Sequence, residues 1–198
     1  MNESTSIKPA EIADVFRRTG AFLEGHFQLS SGLHSPNYMQ CAKVLQYPEH
    51  GERFAKALAA KLEASKPTAI FAPALGGILV GYELARAMGV RAIFAERVDG
   101  KMTLRRGQEL SKGDRLVLCE DVVTTGKSIK EIEALAIEAG AEVVAMVAIV
   151  DRSGGKWSLS KPLTSLLAMG LETYPAETCP LCAAGSQVVK PGSRPTAG

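Results

Sequence analysis

The chain has 198 residues, 46% of them hydrophobic, enough to bury one substantial core and to argue for a single domain. Its 23 basic and 21 acidic side chains leave a net charge of +2 spread along the sequence, which speaks against a nucleic-acid binder. No stretch approaches a membrane span, the polar start MNESTSIKP lacks signal-peptide features, and four cysteines make no disulfide framework, so a cytoplasmic protein is expected.

In chain order, Pro9 to Arg18 predicts an amphipathic helix ended by Gly20, and the stretch from Ala21 to Gln40, rich in aromatics, Ser and Gly, a short β-hairpin. Pro48 to Leu62 predicts a helix with Phe54, Leu58 and Leu62 on one face, and Ala69 to Ala72 a short apolar strand. Pro73-Ala74-Leu75-Gly76-Gly77 then leads into a helix through Met88, followed by a strand over Arg91 to Ala95. Glu96 to Asp114 is polar and without periodicity. Arg115 to Cys119, Glu142 to Val150 and Leu163 to Met169 are apolar strands, and residues beyond Pro175 form a Gly-, Pro- and Ser-containing tail. Nearly continuous apolar strands alternating with helices predict an α/β fold whose parallel sheet is covered on both faces.

The most informative segment is Leu118 to Ser128, LCEDVVTTGKS. An apolar strand ends in two carboxylates, Glu120 and Asp121, and a Thr-Thr-Gly turn opens into a helix. Ser128 with Glu131 fits a capping box ahead of Ile129, Ile132, Leu135 and Ala136. Unpaired N–H groups at that helix start, with Gly126 allowing close approach, form a phosphate cradle. The two carboxylates are suited to ribose hydroxyls and to opposing positive charge that develops on a reacting carbon. The ending Gly126-Lys127-Ser128 also matches a Walker A loop, but the glycine that loop requires first is Asp121 here.

Other loops beyond strand ends carry chemistry of their own. Gly76-Gly77 is either a second anion-binding turn or a plain tight turn. The segment Glu96 to Gly107 holds Arg97, Lys101, Arg105 and Arg106, either as a solvated charged loop or as cations for a leaving anion. Arg152, after Asp151, offers two parallel donors to a planar carboxylate or forms an intramolecular ion pair. Cys179-Pro180-Leu181-Cys182 supplies two of the four ligands of a structural zinc, or is an inert or redox-sensitive pair. Cys41, Cys119, His26, His34 and His50 show no spacing that completes it, Cys119 reads as buried core, and Trp157 as a packing residue.

The strand, acid pair and Thr-Thr-Gly resemble the phosphoribosyl pyrophosphate (PRPP) motif of the type I phosphoribosyltransferases, and the Gly-Gly turn resembles that family's pyrophosphate loop. Phe27-Gln28-Leu29-Ser30-Ser31-Gly32 with His34-Ser35-Pro36-Asn37-Tyr38 is similar to the N-terminal hood of the orotate phosphoribosyltransferase family. The resemblance spans roughly Val15 to Leu171 and implies a central, mostly parallel sheet flanked by helices with a small hood. It divides the chain into a hood at about 20–45, a core at about 46–172 and a tail at about 173–198. It implies transfer of ribose 5-phosphate from PRPP to orotate, a glycosyl transfer of pyrimidine synthesis, with Mg²⁺ held mainly by PRPP and water. By the same resemblance, Glu120, Asp121, Lys101 and Arg105 serve catalysis, while Val122, Val123, Thr124, Thr125, Gly126, Lys127, Ser128, Arg152, Arg97, Arg106 and Tyr38 bind substrate. It further implies a homodimer with shared active sites. Two departures stand out: Leu75-Gly76 replaces the Tyr-Lys of many members, and Ser30 a lysine that reaches the neighbouring subunit. A salvage transferase for another base would lack the hood, and a nucleic-acid-binding regulator would need a basic appendage that the sequence does not contain.

Overall fold

The computed structural model describes residues 6–29, 31–155 and 159–191; Ser30 and Trp157 lie outside them. The expected first helix is present as α1 (Pro9–Arg18), with Glu11 in its first turn and Arg17 and Arg18 in its last, the charge order that complements a helix dipole. The hairpin follows as β1 (Phe22–Gln28) and β2 (His34–Met39), an antiparallel two-stranded sheet of its own. After a short helix α2 (Ala42–Leu45) come α3 (Pro48–Leu62), β3 (Ala69–Pro73), α4 (Gly76–Met88), β4 (Arg91–Val98) and β5 (Lys101–Leu104). The rest is β6 (Arg115–Val123), α5 (Lys127–Glu138), β7 (Glu142–Asp151), β8 (Leu163–Ala168) and a last short helix α6 (Pro180–Ala183).

Strands β5-β4-β3-β6-β7-β8 form one sheet, parallel except for β5, which runs antiparallel to β4. The chain builds outward from β3 to β4 and β5 and then returns to the other side of β3 with β6. Loops after β3 and β6 therefore leave in opposite directions, opening the crevice in which open α/β sheets hold ligands. Successive residues of the central strands alternate between two cores. Ile70, Val117, Cys119, Val147 and Ile149 face α1, α3 and α4, while Phe71, Leu116, Leu118, Met146 and Ala148 face α5. Burial on both faces explains why these strands lack polar alternation. Gly81 lets α4 lie close to β3, since a Cβ there would stand 3.0 Å from the Ala72 Cβ.

Three expectations need correction. The polar segment after Ala95 is not all loop: β4 continues to Val98 and folds back as β5 through Asp99-Gly100, whose φ angles of 48° and 82° are both left-handed. Asp-Gly between strands is a strong hairpin signal, masked here by the surrounding charge. The strand expected to stop at Cys119 continues to Val123, so Glu120 to Val123 are held in the sheet. The tail is docked on the hairpin: Tyr174 exchanges both backbone hydrogen bonds with His34, and Val189 bonds to His26 and Gln28. No helix among the described residues is long and apolar enough to cross a membrane.

Helix α5 carries the turn that follows β6, and Ile132 anchors it with no exposed surface. Ile132→Ala should cost about 2–5 kcal/mol, read as a lowered urea midpoint with an unchanged denaturant slope.

Candidate active site

Glu120 and Asp121 sit at the end of the central strand, Glu120 buried and Asp121 half-buried. Asp121 Oδ1 accepts a hydrogen bond from the Val122 N–H at 2.8 Å, and Glu120 Oε1 a long one of 3.4 Å from the Asp121 N–H. Against them lies the first turn of α4. A Cβ on Gly76 would overlap the Asp121 carboxylate, and one on Gly77 would lie 3.1 Å from Glu120 Oε1 and 3.0 Å from Pro73 Cδ. The paired glycines thus admit the acid pair beside a helix N-terminus, where the dipole favours negative charge. The preceding Ala74–Leu75 peptide is cis, and Leu75 is exposed. Burial pushes the Glu120 carboxyl well above its usual range, and the Asp121 charge pushes it further in the same direction. Asp121 is also raised by burial, partly opposed by the hydrogen bonds it accepts.

Thr124, Thr125 and Gly126 bend away from β6, and Gly126 is the residue before α5 with φ 70°, a left-handed conformation suited to glycine. The expected capping box is not formed. The helix starts at Lys127, which places Ser128 inside the first turn, and Glu131 accepts instead from the Arg97 guanidinium. Gly126 offers no capping side chain, and Thr125 Oγ1 accepts only a long hydrogen bond of 3.4 Å from the Lys127 N–H. Its first N–H groups are available to an anion, as the sequence suggested by a different route. Val122 and Val123 contribute mainly as packing: Val123 is buried on the α5 side and Val122 packs on the opposite core.

The neighbouring strand β7 ends at Asp151, and Arg152 follows with its N–H bonded to the Val123 carbonyl at 2.8 Å. Asp151 accepts from the N–H and hydroxyl of Ser153, so it does not hold the guanidinium. Arg152 is only 8% exposed, and its Nε and Nη2, the two donors along one edge of the guanidinium, have no hydrogen-bond partner among the described residues. Of the two readings of Arg152, the intramolecular ion pair is not made among the described residues. Burial lowers its pKa, while the nearby Tyr38 and Cys41 act in the opposite direction. The Tyr38 phenol, on the hairpin, is raised by burial and feels both Arg152 and Asp121, which puts the hairpin beside the crevice.

This crevice sits within a segment, residues 43–168, that matches the phosphoribosyl transferase domain. The orotate phosphoribosyltransferase of Heliobacterium modesticaldum is 50% identical over 93% of this chain and 97% of its own length. That of Caldicellulosiruptor saccharolyticus is 51% identical over 91% and 94%. The chain belongs to the orotate phosphoribosyltransferase family. Among solved structures, the Aeropyrum pernix orotate phosphoribosyltransferase superposes with a TM-score of 0.65 at 26% identity, covering 80% of this chain and 93% of that one. Leishmania donovani UMP synthase gives 0.69 at 25% identity over 85% of this chain, which spans 37% of that longer protein. The family's type I fold, a mostly parallel sheet flanked by helices with an antiparallel hairpin, is the architecture described above.

The cations expected to serve this family member are less converged than the acids. Arg97 pairs with Glu131, and Arg106 with Glu96 at 2.9 Å, each through two guanidinium nitrogens. Arg105 reaches Glu96 only at 3.9 Å. Lys101 opens β5 and is exposed, and no ion pair holds it among the described residues. Gly76 and Gly77 were legible as a turn; that they pack on the acid pair was not, because the contact joins loops about 45 residues apart.

A carboxyl whose folded pKa is raised binds more protons folded than unfolded, so it lowers stability as pH climbs from the usual carboxylate range through the raised value. Glu120→Gln should therefore melt higher than the parent at neutral pH, with the gain vanishing below about pH 4. Melting temperatures of the two proteins across that interval provide the check, and an unchanged difference at all pH values would contradict it.

Proposed function

We propose that the protein transfers the ribose 5-phosphate of PRPP to orotate, forming orotidine 5′-monophosphate and pyrophosphate in pyrimidine nucleotide synthesis. A ring nitrogen of orotate forms the bond to the anomeric carbon as that carbon's bond to pyrophosphate breaks. Positive charge grows on the sugar, and the chain's task is positioning and charge stabilisation rather than covalent catalysis. In this reading the N–H groups from Thr124 to Ser128 hold the 5′-phosphate, while Glu120 and Asp121 accept from the ribose hydroxyls and oppose the developing charge. Lys101, Arg105, Arg97 and Arg106 attend the pyrophosphate, the last two by exchanging the carboxylates they now pair with. Exposed ion pairs are worth only about 0–1 kcal/mol, so a polyanion can compete for them.

The observation that carries the choice of base is the orphaned edge of Arg152. A buried guanidinium without a partner costs free energy, and two coplanar donors match a carboxylate such as that of orotate. Tyr38 and the hood, at about 20–45, cover the same end of the crevice over a core at about 46–172. The oxygen donors of Glu120 and Asp121 fit a Mg²⁺ that keeps most of its water and phosphate ligands, and such an ion, when bound, neutralises charge on the pyrophosphate. A cytoplasmic location agrees with four free cysteines. The decisive assay is loss of orotate absorbance with PRPP and Mg²⁺, compared with a panel of purines and uracil. Turnover of a purine and not of orotate would overturn the reading.

Arg152→Lys should raise the KM for orotate roughly 10- to 100-fold, the loss of one charge-assisted hydrogen bond, while leaving the KM for PRPP near the parent value. Steady-state kinetics with each substrate varied in turn checks this; equal weakening of both would make Arg152 part of the scaffold.

We further propose a two-fold dimer in which the Lys101 and Arg105 loop serves the partner's site. Asp121→Asn and the double variant Lys101→Ala, Arg105→Ala should each be nearly inactive, yet after free subunit exchange roughly a quarter of all sites should work. If exchange is confirmed by mass-tagged subunits and no activity returns, the loop acts within its own chain.

A further inference from the structure

The sequence separates His26 and His34 from Cys179 and Cys182 by about 150 residues, which is why their spacing suggested no common ligand set. The fold overturns that expectation. In the hairpin Gln28 pairs with His34, so His26, two residues earlier on the same strand face, is the diagonal neighbour of His34. The tail then crosses beside them and delivers both cysteines at the start of α6. One imidazole nitrogen from each histidine and the two Sγ atoms all lie within 4.8 Å of one another.

We propose that these four side chains form a structural zinc site that fastens the tail to the hood. Zn–N bonds of about 2.0–2.1 Å and Zn–S bonds of about 2.3 Å in a tetrahedron require N···S separations of about 3.5 Å. Those present are 3.6 Å from Cys179 Sγ and 3.7 Å from Cys182 Sγ to His26 Nε2, and 3.3 Å from Cys182 Sγ to His34 Nδ1. The two nitrogens, 2.9 Å apart, need to part by only about 0.4 Å to reach the tetrahedral edge. A second, independent feature points the same way. The other ring nitrogen of His26 lies 3.0 Å from the Ser186 carbonyl, an acceptor only, so Nδ1 carries the hydrogen and the Nε2 lone pair is turned towards the cluster. That carbonyl belongs to the same tail as the cysteines.

The charge and location are also right for Zn²⁺. Binding forms two Zn–S and two Zn–N bonds and releases both thiol protons to solvent, leaving a neutral centre. Three of the four ligands are buried, as a closed structural site requires. The tail needs such a fastening: Cys179 is 3% exposed, but most residues from 176 to 190 are exposed, so apolar burial contributes little to holding them. In a reducing compartment a Cys-x-x-C pair facing two histidines is better suited to metal than to a lasting disulfide.

The test uses the full chain, purified without chelator and dialysed against buffered zinc. Elemental analysis should give about one zinc per chain, and replacement by Co²⁺ should give the intense visible bands of a tetrahedral site with thiolate-to-cobalt charge transfer. Cys182→Ser, at an exposed position, should weaken zinc binding by more than about tenfold, whereas His50→Ala, outside the cluster, should retain it. Circular dichroism of the serine variant verifies its fold, and the cobalt spectrum of the parent stands whether or not that variant folds. The proposal fails if the parent takes up no zinc, if its cobalt spectrum lacks thiolate bands, or if thiol titration under denaturing conditions finds Cys179 and Cys182 joined as a disulfide.

Discussion

A buried and a half-buried carboxylate at the end of β6 and a buried guanidinium at the end of β7 line one crevice, and among the described residues they do not pair with each other. An isolated protein would lower its free energy by closing such a pair or by exchanging the charges for apolar groups. Here the register of β6 against β7, with Val122 opposite Val150 and Val123 opposite Asp151, carries the side chains past that opportunity. Asp151, the nearest acid in sequence, is occupied by Ser153. The apolar cores on both faces of the sheet supply the stability that sustains this arrangement. What remains is a crevice with anionic and cationic ends, each incomplete without a ligand of the opposite character.

The glycines follow from the same constraint. Gly76 and Gly77 allow α4 to begin against the carboxylates, and Gly81 one turn later keeps the helix close to β3. At Gly126 the requirement is instead conformational, since a left-handed residue lets α5 begin without a side-chain cap. Two helix N-termini thus flank the acid pair, one packed on it and one open to an anion.

The cations are arranged differently. Arg97 and Arg106 are held by Glu131 and Glu96 on partly exposed surfaces, where the pairing energy is small and readily exchanged. The pair between Arg97 and Glu131 joins the β4–β5 hairpin to α5. An anion that drew Arg97 away would therefore alter the link between these elements, which gives the loop a physical reason to respond to ligand.

Local pattern was enough for much of the molecule. The α1 and α3 boundaries follow from proline at the helix start and apolar period, the central strands from continuous apolar runs, and the turn at Thr124–Gly126 from its own residues. These are interactions within a few residues of chain. Period alone misjudged Ser128 and Glu131, because the capping pattern competes with an ion pair to Arg97 that only the tertiary structure supplies. It also missed the continuation of β4 beyond Ala95, since in this edge hairpin only Met102 and Leu104 of β5 turn to the core among charged neighbours, too few to show a period. The unpaired state of Arg152, the fit of Gly76 and Gly77 to the acids, and the meeting of His26, His34, Cys179 and Cys182 all depend on segments distant in sequence. Residue type announced that each could carry charge or bind metal; which partner it met was decided by strand register and by where the tail returned to the hairpin, quantities that no local window contains.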